Sequence, residues 1–236
     1  MLHTQTVEAG TYALLKSIMN DSTFSGFALA GGTALSLLIG HRKSIDLDLF
    51  TTKEFNPVQL EQYLQKNYTF KGDFLEGYSL KGEVNGIKLD FIRHDYPDVE
   101  PRIQEDGVRL YGLKDIAAMK LSAIGDNGTR LKDFIDVAYL SGYLSLKEML
   151  TAFEAKYPQT NPYRALKGLN YYDDIRFSER INLLGKDFRW EDIAARLTDM
   201  TREENKRFPH LKEEAAGKEK KLQQPVIQPR KRGRRM

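Results

Sequence analysis

Asp46 and Asp48 stand one residue apart in the segment Ser44-Ile45-Asp46-Leu47-Asp48-Leu49-Phe50. Its strict polar/apolar alternation predicts a β-strand. Successive side chains of a strand point to opposite faces, so both carboxylates share one face, with Cα atoms roughly 6.5–7 Å apart. Ile45, Leu47 and Leu49 are then expected in the core. Asp90, between Leu89 and Phe91, repeats the arrangement. If the two strands are neighbours, three carboxylates gather on one side of a sheet. Asp is disfavoured in strands and like charges repel, so something must offset the cost. A hard divalent cation that prefers oxygen, such as Mg²⁺, does so. Two such ions sharing Asp46, Asp48 and Asp90 would grip the attacking and leaving oxygens of a phosphoryl-type displacement.

Gly31-Gly32-Thr33 supplies the complementary chemistry. A glycine turn feeding a helix exposes backbone N–H groups to an anion, and the helix N-terminus adds partial positive charge. Thr33 is expected to cap a helix from Ala34 to about Ile39, which Gly40 ends. An anion cradle followed about fourteen residues later by a metal-binding strand describes a nucleoside triphosphate (NTP) site with Mg²⁺. Each piece has a plainer reading when taken alone: a structural turn, solvated aspartates, an exposed hairpin residue. Order, spacing and alternation together favour the site.

Residues 6–21 carry apolar side chains at helical spacing. Residues 26–32 read as a short buried strand running into the glycine turn. Asn56-Pro57 announces a helix, with Asn as cap and Pro at the first position. Asn85-Gly86 between two alternating runs signals a type I′ hairpin pairing 78–84 with 87–93. From Leu113 the period changes to helical over four segments. The expected organisation is α+β: a mixed sheet with helices over 1–112, a helical part over 113–208, and a basic, disordered tail over 209–236.

The string Gly-Gly-Thr, twelve residues, Asp-Leu-Asp-Leu-Phe resembles the signature of the polymerase-beta-like nucleotidyltransferase superfamily. More narrowly, AGGTALSLLIGHRKSIDLDLFT resembles the AbiEii/AbiGii toxins, nucleotidyltransferase toxins of type IV toxin–antitoxin systems linked to abortive infection. DIAAMKLSAIGDNGTRLKDFIDVAYL and LNYYDDIRF are similar to further stretches of that family. The resemblance covers roughly residues 25–200. It implies a polymerase-beta-like fold, with Asp46 and Asp48 as metal ligands and Asp90 as a third ligand or the base. Gly31, Gly32 and Thr33 would hold the triphosphate and Lys120 would contact phosphate. Asp133 or Asp136 would orient it or help bind the nucleotide. Thr33 stands where the wider superfamily more often has Ser, which preserves the hydroxyl. By the residues alone, Asp133 and Asp136 share a helix face. Arg42 and Ser44, in the turn before the metal strand, are candidates to meet phosphates or an RNA backbone.

The chain has 236 residues, 41% apolar and 29% charged, enough for a sizeable core. It has no cysteine, which excludes disulfides and thiolate metal sites. His3, His41, His94 and His210 have no zinc spacing. No run is long enough to span a bilayer, and MLHTQTVEAG lacks the order of a signal peptide, so a cytoplasmic location is expected. The expected activity is Mg²⁺-dependent nucleotidyl transfer from an NTP to an acceptor hydroxyl, with RNA, the tRNA 3′ end, as the acceptor the resemblance implies. A cognate antitoxin is the implied partner. The rivals are a transferase that adds AMP to a protein side chain, and a non-catalytic binding module of the same fold.

Overall fold

A computed structural model describes residues 1–185 and 187–211. The chain enters through α1 (Ala9–Asn20) and β1 (Ala28–Leu29), then α2 (Gly31–Ile39), β2 (Leu47–Thr51) and α3 (Pro57–Tyr68). There follow β3 (Lys71–Glu76), β4 (Ser79–Val84), β5 (Ile87–Arg93), β6 (Ile103–Glu105) and β7 (Val108–Leu110). The rest is helical: α4 (Leu113–Asp126), α5 (Leu131–Leu140), α6 (Leu146–Lys156), α7 (Tyr163–Gly168) and α8 (Trp190–Arg202). Among the described residues the strands form one mixed sheet in the order β3-β4-β5-β2-β1-β7-β6. The fold is therefore α+β, as expected. The expected basic tail lies outside the described residues beyond 211.

Local chemistry explains the main elements. Asn85 (φ 52°) and Gly86 (φ 79°) both take the left-handed conformation that a type I′ turn demands, and β4 pairs antiparallel with β5. Asn56 accepts hydrogen bonds from the Val58 and Gln59 amides and opens α3, with Pro57 in its first turn. Ser145 and Glu148 form a reciprocal capping box that starts α6. Gly40 ends α2 at φ 65°. One apolar cluster runs from Leu2 to Leu211 and draws on the sheet and on α4, α5, α6 and α8.

Three expectations need correction. The helix expected over 6–21 starts only at Ala9, because 4–6 form a separate 3-10 turn. Ile45 is 56% exposed and lies before β2, not in the core. The Lys43 and Ser44 amides bond to the Asn182 and Thr6 carbonyls, so this segment is drawn off the sheet and the ladder begins at Leu47. Thr33 caps nothing: α2 begins two residues earlier, with Ala30 as its cap. The Thr33 hydroxyl instead donates to the Asp46 carbonyl and shares a hydrogen bond with the Ser44 hydroxyl (2.8 Å), tying the helix to the segment that carries the first aspartate.

Candidate active site

Strand pairing builds the site. β2 and β5 run parallel, with Leu47 opposite Leu89, Asp48 opposite Asp90 and Leu49 opposite Phe91. The four apolar residues are fully buried. Alternation therefore turns Asp48 and Asp90 to the other face, on strands about 4.8 Å apart. β1 pairs antiparallel with β2, and the Ala30 amide donates to the Asp48 carbonyl at 2.8 Å. That contact sets the N-terminus of α2 against Asp48.

Gly31 permits the approach. Its φ is 67°, and a Cβ there would lie 2.1 Å from Asp48 Oδ2. Gly31→Ala is expected to cost roughly 1–2 kcal/mol of backbone strain, and it pushes the carboxylate aside as well. Thermal denaturation should show a fall of roughly 2–8 °C, with nucleotidyl transfer lost more completely than stability.

Burial raises the Asp48 carboxyl to about 6; Lys120 opposes that shift, and the Asp90 and Asp46 charges add to it. The site thus holds negative charge that the protein alone leaves unneutralised. Asp90 already has a cation: Lys81, its cross-strand partner, donates to Oδ2 at 2.7 Å. Among the described residues no three carboxylates or histidines form a finished metal cluster. The donor set nevertheless fits Mg²⁺: hard carboxylate oxygens, one with its carboxyl raised by burial and by like charges beside it.

Behind the carboxylates lies a buried charge network. Lys120 Nζ donates to Asp133 Oδ1 (2.6 Å) and pairs with Asp136 Oδ2 (2.8 Å). Arg42 donates to Asp136 through Nε (2.7 Å) and Nη2 (2.9 Å), and His41 Nε2 to Oδ1 at 2.8 Å. Burial alone would raise the Asp136 carboxyl, but Arg42, Lys120 and His41 hold it well below the usual range. Burial works against the Lys120 charge, but Asp133 and Asp136 hold its pKa up. Burial pushes His41 down, so the ring is neutral; with Nε2 donating, Nδ1 is an acceptor without a hydrogen-bond partner among the described residues. Arg42 is thus committed to Asp136, and its Nη1 goes to the Lys43 carbonyl (3.1 Å) and Ser44 Oγ (3.4 Å).

Three cavities open around this centre, and Asp48 and Arg130 line all of them. The first, about 300 Å³, is basic: Arg42, Lys43, Lys120, Arg130, Lys132 and Arg180 join Gly32, Thr33, Ser44 and Asp46 on its wall. The second, about 380 Å³, brings Asp46, Asp48 and Asp90 together with Lys81. The third, about 320 Å³, runs from Gly31 and Asp48 to Phe50, His94 and Tyr157. Asp133 sits on this third wall, and Asp136 lies wholly behind the cavities. Sequence reasoning missed Arg130, Arg180, Phe50 and His94. Only Phe50 left a signal, as the next same-face position after Asp48.

The sequence model described as "Nucleotidyl transferase AbiEii toxin, Type IV TA system" matches residues 13–224. An uncharacterized protein of Aquifex aeolicus (strain VF5) is 34% identical over 169 residues, 69% of this chain and 81% of its own length. Among solved structures, the nucleotidyltransferase toxin MenT4 of Mycobacterium tuberculosis H37Rv superposes with TM-score 0.53 at 14% identity, over 82% of this chain and 84% of its own. JHP933 of Helicobacter pylori superposes with TM-score 0.50 at 17% identity, over 95% of this chain and all of its own. At those identities the two structures speak for the fold alone. No helix among the described residues is long and apolar enough to cross a membrane. With most of its length matched by that sequence model, the chain belongs to the AbiEii family of nucleotidyltransferase toxins of type IV toxin–antitoxin systems.

Proposed function

We propose that the enzyme uses Mg²⁺ to transfer a nucleotidyl group from an NTP to the 3′-terminal hydroxyl of an RNA, with tRNA as the acceptor. The observation that carries this reading is the β2–β5 register, which sets Asp48 beside Asp90, with Asp48 also against the start of the glycine-started helix. The acceptor oxygen attacks the α-phosphorus, the bond to the bridging oxygen breaks, and pyrophosphate leaves. Asp90 is the group placed to take the hydroxyl proton once Lys81 releases it. Lys120, Arg130, Lys132 and Arg180 offset the triphosphate charge, and the first amides of α2 bind its oxygens. Asp46, Asp48 and Asp90 would hold Mg²⁺, which when bound offsets their repulsion and polarises phosphoryl oxygens. Arg42 and Ser44 act in this reading by shaping the wall, and Asp133 and Asp136 by holding Lys120.

The basic first cavity supports a polyanionic substrate. Family membership supports a toxin that acts in the cytoplasm, serves abortive infection and is restrained by a cognate antitoxin. The test is incubation with each of the four α-³²P-labelled NTPs and purified tRNA, with Mg²⁺ or with EDTA. Label should enter the tRNA with Mg²⁺ only. Label confined to protein bands would replace the RNA acceptor by a protein side chain. No label together with no NTP binding would leave a binding module.

A further inference from the structure

The third cavity has no role in the chemistry just described, yet it opens onto the same carboxylate. Alternation along β2 places Phe50 on the face of Asp48, and β5 leads out of its last residue, Arg93, to His94. The two rings stack, with centroids 5.4 Å apart and planes at 29°. Tyr157, directly after α6, fixes the His94 ring through a 3.2 Å hydrogen bond between its hydroxyl and Nε2, and meets it edge-on at 5.9 Å. Burial lowers the His94 pKa to about 4, so near pH 7 the ring is neutral. The cavity holds about 320 Å³ and is continuous with Gly31, Gly32 and Lys120.

A rigid aromatic pair one strand step from a phosphate-binding helix start has the layout that a nucleotide needs. A nucleotide with its phosphates at the glycines would carry its ribose past Asp48 and its base to the rings. Any base offers a π-face, so stacking of this kind gives affinity without hydrogen-bond readout. Resting on the proposed function, we infer that the Phe50–His94 pair is the stacking platform for the base of the incoming NTP. The incoming nucleotide is favoured over the acceptor because Gly31, Gly32 and Lys120 line this cavity. Asp90 and Lys81 line the other one.

The test is equilibrium binding of ATP, CTP, GTP and UTP, each with Mg²⁺, beside inorganic tripolyphosphate, which has the anion and no base. Phe50→Leu keeps apolar volume and removes the ring; Phe50→Tyr restores it. The expected result is NTP binding weakened roughly 5- to 100-fold in Phe50→Leu, with tripolyphosphate binding kept within about twofold of wild type. Phe50→Tyr should restore NTP affinity, and KM for the NTP should rise in Phe50→Leu while KM for tRNA holds. Unchanged NTP affinity in Phe50→Leu would overturn the inference and leave the transferase reading standing. Equal loss of tripolyphosphate binding would overturn it too, by making Phe50 a support of the anion site. A rise in KM for tRNA alone would assign the cavity to the acceptor. A wild-type chain that binds neither NTP nor tripolyphosphate would bring down the transferase reading and this inference with it.

Discussion

Asp48→Asn should abolish nucleotidyl transfer, by about 10³-fold or more, while the fold survives. A single electrostatic stabiliser of a transition state is commonly worth 10²–10³ in rate, and Asp48 meets all three cavities and the start of α2. The same exchange should raise thermal stability at neutral pH in EDTA. Asp48 is a half-buried carboxylate beside Asp90 and Asp46, and its ionised form opposes folding. Asn fills the same space without charge. Loss of function joined to gain of stability is expected where a site holds charge in store for a ligand. Label transfer and thermal denaturation on one preparation check both halves. A variant that is both inactive and less stable would show that Asp48 serves the fold.

Asp136→Ala has the largest expected effect on stability. It strands Arg42, leaves Lys120 with Asp133 alone, both cations being nearly fully buried, and leaves the His41 Nε2–H without its acceptor. Removing one member of a buried ion pair typically costs about 3–5 kcal/mol, and a fall in Tm on the order of 10 °C follows for a chain of this size. The network also sets the acid limb of stability. The folded carboxyl of Asp136 lies well below the usual 3.8. Its contribution is therefore full above the unfolded value and fades as pH falls below 3.8 toward the depressed folded value. Wild type should lose stability steeply in that acid window, and Asp136→Ala should show a flatter profile there. Urea melts across pH 2–7 measure the difference; parallel profiles for the two proteins would contradict the assignment.

Local chemistry was legible in the sequence where one short segment decides the outcome. Asn85-Gly86 announces the hairpin because few residue pairs accept two left-handed conformations in a row, and Asn56-Pro57 announces α3 in the same way. Alternation placed Asp48 and Asp90 on one face, since Leu47, Leu49, Leu89 and Phe91 all had to be buried. Partners distant in sequence were not legible. Arg42 and Asp136 are 94 positions apart, and nothing near Arg42 says that its fork closes on a carboxylate rather than a phosphate. Ile45 misled because alternation continues past the point where Thr6 and Asn182 pull the backbone off the sheet. β3 escaped because all six of its residues are exposed and a bulge between Gly72 and Phe74 breaks its register, so no face needs an apolar pattern. β6 and β7, three residues each, are too short to carry one. Phe50 was given no role, although alternation sets it on the face of Asp48. Its importance comes from His94, just past β5, which stacks on it and is held in turn by Tyr157, just past α6.

The most direct measurement is Mn²⁺ binding by electron paramagnetic resonance in the presence of a non-hydrolysable NTP analogue, comparing wild type with Asp48→Asn and Asp90→Asn. The carboxylate pair set by the β2–β5 register predicts that wild type binds Mn²⁺, that Mg²⁺ displaces it, and that each variant binds at least about tenfold more weakly. Equal binding by all three proteins, or no binding by wild type, would contradict it.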